Sequence, residues 1–463
     1  MTVRDFHALR SHLGLPPVDR TDRFPDAVEA EARDLAAREP SAPTDRTDLP
    51  FVTIDPPGSM DLDQAMHLER RGSGFRVHYA IADVGGAIEP GGAIDAEARR
   101  RGQTIYLPDG RVPLHPPVLS EGALSLLPDQ VRAAALWTID VAEDGSIEAA
   151  TVARALVRSV VRLDYAEAER SFDVDEPHPS IAALPALGAA RTRHRIGAGA
   201  IDLELPEQQV VADGDGWTIR LEPRTQVDVW NAEVSLLTGM AAARLMIDAK
   251  VGLVRTLPDP ADEQVERFWS MAAELGFDRA DSPGASLATV DPRRPEAIAL
   301  MASATRLLRG AGYAAFDDSL PEHTTHSGVG GPYAHVTAPL RRLADRFTTE
   351  VCLAVSASEA VPDWARAALP EVADLMAASD RRASEADRTA IDLVETWLMS
   401  DRGDEVFDAI VMRVADDGEA EILLLDPPVV SDCTGDGLEP GARVGVRVAT
   451  IDTATRRVAY VTA

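Results

Sequence analysis

At 463 residues the chain is longer than one ordinary hydrophobic core serves, which points to roughly two to four domains. Its 45% apolar content includes no uninterrupted apolar run able to span a bilayer, and the charge-scattered start MTVRDFHALRSHLG has no apolar centre, so neither a membrane span nor a secretory signal is expected. A net charge of −30 excludes a broadly basic nucleic-acid-coating surface but leaves room for an enclosed site with a local positive lining, and two distant cysteines, Cys352 and Cys433, lack metal-ligand spacing and fit a reducing cytoplasm.

Residues 1–45 read as helical and then loose. Val3, Phe6, Leu9 and Leu13 share one helical face, Asp26–Arg38 is an Ala/Glu/Arg helix, and Pro40–Pro50 has the composition of a linker. Strands follow: Phe51–Ile54, an apolar run rich in β-branched residues, then Gly74–Ile81, Ala134–Val141 and Thr151–Val161, with turns near Gly91, Pro108 and Pro116. After them helices prevail, among them Val227–Met246, Asp262–Leu275, Pro295–Leu308 and Pro339–Val355. The last places Pro339 in its first turn and Leu340, Leu343, Phe347, Val351 and Ala354 on one buried stripe. In the tail, Phe407–Val414, Ala420–Leu425, Arg443–Ile451 and Arg457–Thr462 alternate in the manner of a small barrel of OB type. The expected division is 1–45 helical, 46–400 a mixed α/β (α+β) domain, and 401–463 the barrel.

The densest chemistry lies at residues 53–65, TIDPPGSMDLDQA, where Asp55, Asp61 and Asp63 share one turn after an apolar strand. Carboxylates delivered together toward an interior need cations to offset their repulsion, and magnesium, alone or as a pair of ions about 4 Å apart, suits oxygen ligands and phosphodiester cleavage. A solvated loop is the plain alternative. An EF-hand fits poorly, because Pro57 and Ser59 stand where oxygen ligands belong and no Glu closes the loop. A phosphatase nucleophile at Asp61 or Asp63 wants an apolar strand directly before it, and Pro56 to Met60 intervene.

Four further segments carry unusual residues: RGQTIYLP with Tyr106, RLDY with Tyr165, NAEVSLLTG with Glu233 on an apolar helix, and YAHVTAPLRR with Arg341 and Arg342. With TIDPPGSMDLDQA, HYAIADVGGAIEPGGAIDAEARRRGQTIYLPDGRVP and LSEGALSLLP, this set resembles, in order and spacing over about residues 50–400, the ribonuclease II/R (RNB) exoribonuclease family. The resemblance implies an RNB-type catalytic domain with a C-terminal barrel, and processive 3′→5′ hydrolysis of single-stranded RNA to nucleoside 5′-monophosphates. It also implies magnesium as the cofactor, with manganese a substitute, and gives no membrane role and no particular protein partner.

Residue by residue, it implies that Asp55, Asp61, Asp63 and Gln64 hold metal, with Asp63 indispensable and Asp61 catalytic beside it. Arg341 would neutralise charge on the phosphate, Tyr106 would stack on 3′-terminal bases, Tyr165 would touch RNA near the cut, and Glu233 would accept a ribose 2′-hydroxyl. The plain alternatives are a surface arginine, an amphipathic core tyrosine, a helix-opening tyrosine and a solvated glutamate. His335 and the His323/His326 pair lack a third ligand and read as core or loop residues rather than a zinc site.

The chain departs from the family pattern where the second of two adjacent aspartates is Gln64, which removes a negative charge, and where a usual serine is Ala338. RASEADR, Arg382–Arg388, only approximates a family signature. The segment before the motif is too short for the family's cold-shock barrels, and Phe407 and Tyr460 are the only aromatics on offer for stacking in the tail. An RNA-binding protein with weakened catalysis, and a phosphatase of small esters, are the alternatives.

Overall fold

The computed structural model describes residues 4–203, 207–214, 216–222, 224–291, 294–403, 405–415 and 418–463; Val3 lies outside the described residues. The strands expected after residue 50 build one sheet. Phe51–Asp55 pairs antiparallel with Gln64–Arg71, that with Gly74–Ala82, and that with Val131–Val141. The 18-residue strand Ile147–Asp164 closes the circuit, running antiparallel to Val131–Val141 along its first part and parallel to Phe51–Asp55 along its last. Within the expected linker, Thr44–Asp45 adds a short parallel edge at Ala155 and Leu156.

Alternation decides which way each side chain points. Val52, Ile54, Tyr79, Ile81 and Trp137 are buried in the main core with Val234 and Leu237 of the helix Gln226–Ala249 and Phe347 of the helix Leu343–Ala357. Their neighbours Phe51, Ala80, Ala82 and Leu136 face the other way and pack with Val28, Ala32 and Leu35 of the N-terminal helix Asp26–Ala36. That helix therefore covers the second face of the sheet.

One helix expected to begin at Pro339 begins at Leu343. Asp345 explains the delay: its carboxylate accepts from the Ala338 amide at 2.7 Å and from both arms of Arg342, which fixes residues 338–342 as a turn. A 40-residue helix, Asp363–Arg402, then runs from the sheet domain to the barrel. Its far end buries Ala390, Val394 and Met399 with Leu9 of the helix His7–His12, with Phe6 just before that helix, and with the barrel's interior.

The tail is a closed five-stranded barrel. The expected strands form, and Val430–Thr434, which sequence patterning missed, supplies the fifth. Phe407 and Tyr460 do not offer stacking faces: both are buried in the barrel core, and the Tyr460 hydroxyl donates to Glu395 of the long helix at 3.0 Å.

Phe51 is fully buried and anchors the strand that leads to Asp55. Phe51→Ala should cost about 3–5 kcal/mol and lower the urea midpoint of the sheet domain, read by circular dichroism; an unchanged midpoint would contradict this packing.

Candidate active site

The TIDPPGSMDLDQA loop is fixed by its apolar and hydroxyl residues rather than by its acids. Leu62 is fully buried between Asp61 and Asp63. Ser125 accepts from the Leu62 amide at 3.0 Å and donates to the Met60 carbonyl at 2.6 Å, and the Leu126 amide reaches the Leu62 carbonyl. Gly58, at φ +80°, permits the reversal that follows Pro57.

Asp63 is 2% exposed. One carboxylate oxygen accepts from the Leu340 amide at 2.7 Å, and the other lies 3.3 Å from Nε of Arg341. The turn carrying Arg341 is held from outside as well: Thr104 N–H donates to the Arg341 carbonyl, and Leu343 N–H to the Gly102 carbonyl. Those two bonds set Arg341 beside the hairpin of Ile105–Leu107 and Gly110–Val112, which bears Tyr106. Tyr106 is 47% exposed, and among the described residues no other Phe, Tyr or Trp is left so open.

Asp55 ends its strand opposite Asp164 in the parallel register. Asp164 caps the next helix, with Glu167 reciprocating, so Tyr165 opens that helix beside Asp55. Asn231 donates to the Tyr165 hydroxyl at 3.4 Å and to the Ile54 carbonyl at 3.5 Å. Sequence reasoning missed Asn231, whose partners lie far away along the chain.

It also missed Arg111. The turn at Pro108–Asp109 places Arg111 directly across from Tyr106, and its guanidinium lies 3.3 Å from Asp61 while also gripping Glu121. The PDG signal of that turn carried the information, since it fixes which residue faces Tyr106.

Two expectations are corrected. Glu233 is 1% exposed and accepts from Arg195 with both oxygens, at 2.6 to 3.0 Å, and from Thr192 at 3.1 Å. It is one half of a buried ion pair and offers nothing to a ribose. The Gln64 carbonyl, expected to face a metal, accepts from the Tyr79 hydroxyl at 2.5 Å and from Ser235 at 3.4 Å.

Burial pushes the carboxyl of Asp55 up to about 7, with Arg341 opposing and Asp61 adding to the rise. Burial likewise pushes Asp63 up to about 8, against the pull of Arg341 and the Leu340 amide. Asp55 Oδ2 is buried with no hydrogen-bond partner. Among the described residues no three His, Cys, Asp or Glu side chains already stand as a complete metal-holding group. Magnesium commonly takes only one or two carboxylates and completes its shell with water and substrate phosphate, so the orphaned Asp55 oxygen and the hard oxygen donors beside it fit such an ion.

Residues 44–355 match the RNB domain. The chain belongs to the RNB family. Residues 405–462 match the RNase II-type exonuclease C-terminal S1 domain. Ribonuclease R of Escherichia coli is 28% identical over 445 residues, covering 88% of this chain and 53% of its own length. The chain thus spans about half the length of the curated relatives it matches. Among solved structures, Mycoplasma genitalium RNase R in complex with ribose-methylated single-stranded RNA shares the RNB fold at TM-score 0.84 and 20% identity, over 95% of this chain and 76% of that one. Yeast Ssd1, described as a pseudonuclease, shares it at TM-score 0.69 and 16% identity, over 92% and 53%. No helix among the described residues is long and apolar enough to cross a membrane.

A free aspartate titrates near 3.9, so the folded metal-free protein holds protons on Asp55 and Asp63 that the unfolded chain has released. Their contribution therefore favours the fold at low pH and is lost as pH climbs from about 4 toward about 8. In EDTA, the melting temperature of Asp63→Asn should match wild type near pH 4 and rise relative to it up to pH 8. A relative fall over that range would contradict the assigned shift.

Proposed function

We propose that the chain is a magnesium-dependent exoribonuclease that digests single-stranded RNA processively from the 3′ end to nucleoside 5′-monophosphates, with manganese able to replace magnesium. The observation that carries this reading is Asp63, a buried carboxylate set between the Leu340 amide and the Arg341 guanidinium, with Asp55, Asp61 and the open ring of Tyr106 around it. RNB membership and the RNA seen on the Mycoplasma genitalium relative support the substrate class. The cytoplasmic setting belongs to the same proposal.

Asp55, with its unpartnered oxygen, and Asp63 and Asp61 would hold the divalent ion, which supplies a lowered water pKa and charge neutralisation at the phosphate. Arg341 is half exposed and anchored through Asp63, so it can turn its remaining N–H groups to the phosphate as charge builds there. Tyr106 gives a sequence-tolerant platform worth about 1–3 kcal/mol per stacked base. Tyr165, fixed by Asn231, bounds the site on the Asp55 side. Selection of the 2′-hydroxyl is not assigned to Glu233, which Arg195 occupies.

A 5′-labelled single-stranded RNA should shorten from its 3′ end with magnesium present and stay whole in EDTA. Asp63→Asn should abolish turnover, and Arg341→Gln should lower kcat by about 10²–10³, only partly restored in Arg341→Lys. Full activity in Asp63→Asn would overturn the assignment of roles. Wild type that binds RNA tightly yet leaves it intact in both magnesium and manganese would fit the non-catalytic alternative instead.

Arg111 and Glu121 allow a test that needs no turnover. Arg111 places a positive charge against Asp61, and Glu121 draws that charge away. In manganese titrations followed by paramagnetic resonance without RNA, Arg111→Gln should bind manganese about tenfold more tightly and Glu121→Gln less tightly than wild type. Loss of affinity in both variants would mean that the pair merely supports the loop.

A further inference from the structure

Acidic residues outnumber Lys and Arg by 76 to 46 in this chain, yet one cleft reverses the balance. A cavity of about 340 Å³ opens between the N-terminal segment and the back of the hairpin that bears Tyr106. Four guanidinium groups line it, from Arg23, Arg100, Arg101 and Arg382, against one carboxylate, Glu97. Glu97 is fully used: it pairs with Arg100 at 2.5 Å and with Arg101 at 2.7 Å. Arg101 is nearly buried, with its guanidinium 3.7 Å over the ring of Phe24 and donating to the carbonyls of Pro113 and Arg23.

Arg23 and Arg382 have no carboxylate partner among the described residues. Arg23 is exposed at the rim. Arg382 donates one N–H to the Arg101 carbonyl, while its Nε is buried and has no hydrogen-bond partner at all. Burial and the neighbouring Arg100 both hold Arg382 below the ordinary arginine value, the response of a cation that lacks a counter-charge. A buried, unsatisfied guanidinium N–H is costly, and arginines lining one concavity with free N–H groups match the oxygens of a phosphate.

We propose that this cleft is a second phosphate-binding site, separate from the aspartate cluster, which takes the phosphate group of a nucleotide or of an RNA strand. The two sites lie on opposite faces of one hairpin. Ile105 and Val112 line the cleft, whereas their neighbours Tyr106 and Arg111 lie on the aspartate side. A phosphate in the cleft would be held by Arg23 and Arg382 directly, with Arg100 at its edge and Arg101 fixing the floor through Phe24 and Glu97. The proposal does not depend on a metal or on catalysis.

The test uses the full chain in EDTA, so that RNA is neither cut nor held through a metal. Inorganic pyrophosphate, AMP and a 2′-O-methylated single-stranded oligoribonucleotide are each titrated calorimetrically into wild type, Arg23→Glu and Arg382→Gln. Arg23 is exposed and unpaired, so its reversal leaves the fold intact even if loss of Arg382 loosens the Arg101 contact. At least one ligand should bind wild type about tenfold more tightly than Arg23→Glu. Weakening of pyrophosphate and AMP identifies a small phosphate ligand. Weakening of the oligonucleotide alone identifies the RNA strand, and the slope of log affinity against log salt should then fall by about 0.7 in Arg382→Gln. Equal affinities in wild type and both variants, no binding of any of the three, or weaker oligonucleotide binding with an unchanged salt slope overturns the proposal.

Discussion

The pairing of Asp63 with Arg341 is the contact on which the rest of the site depends. The two ends of the pair are 278 residues apart, and the carboxylate is almost wholly out of water while the guanidinium is half in it. Burial disfavours the ionised form of so enclosed a carboxyl and raises its pKa, and the Leu340 amide and Arg341 oppose that rise without cancelling it. That amide makes no backbone hydrogen bond of its own and lies in the turn of residues 338–341 ahead of the helix. Asp345 enforces that by drawing the Ala338 amide and Arg342 to itself. Two buried aspartates far apart in the chain, Asp63 and Asp345, therefore shape one turn: Asp345 folds it and Asp63 receives it.

The same turn explains how the site acquires its aromatic face. Backbone bonds from Thr104 and to Gly102 lock the Arg341 turn to the strand that continues into Tyr106, so the ring cannot drift from the guanidinium. On the other side, the parallel register of Asp55 with Asp164 puts the capped helix and Tyr165 beside the aspartates. Neither ring is placed by its own packing alone. Tyr165 is carried by a backbone pairing within the sheet, and Tyr106 by the bonds that tie its hairpin to the Arg341 turn.

What the sequence made legible follows from range. Asp55, Asp61 and Asp63 stand within nine positions of one another, and the strands and barrel staves announce themselves by alternation of period two. Val430–Thr434 did not, because VSDCT is polar along most of its length and becomes a strand only by pairing with two neighbours, one of them parallel. Glu233 looked like a lone acid on an apolar helix. Its partner, Arg195, lies on another helix, and no pattern within either segment joins them. The sequence offered only Phe407 and Tyr460 for stacking in the barrel, a poor supply, and closure of the barrel turns both inward, where Glu395 of the long helix takes the phenol. Arg341 was legible as a residue of the site but not as a turn residue, since Asp345, the carboxylate that delays the start of the helix, is itself part of the helix.

Gln64 shows what those long-range contacts do to the chemistry. An amide in place of a second adjacent carboxylate lowers the negative charge of the cluster, and its oxygen is already satisfied by Tyr79 and Ser235. Three carboxylates then face Arg341 at Asp63, Arg111 at Asp61 and the charge of Arg162 near Asp55, which leaves little net charge to draw in a divalent ion. Two features restore the balance. Asp55 keeps an oxygen with no hydrogen-bond partner, and Glu121, paired with the other terminal nitrogen of Arg111, offsets part of that positive charge. A cluster with a fourth carboxylate could tolerate Arg111 without help. With Gln64 in that place, the proposed hold of the three aspartates on a cation would draw on a glutamate that lies outside the motif altogether.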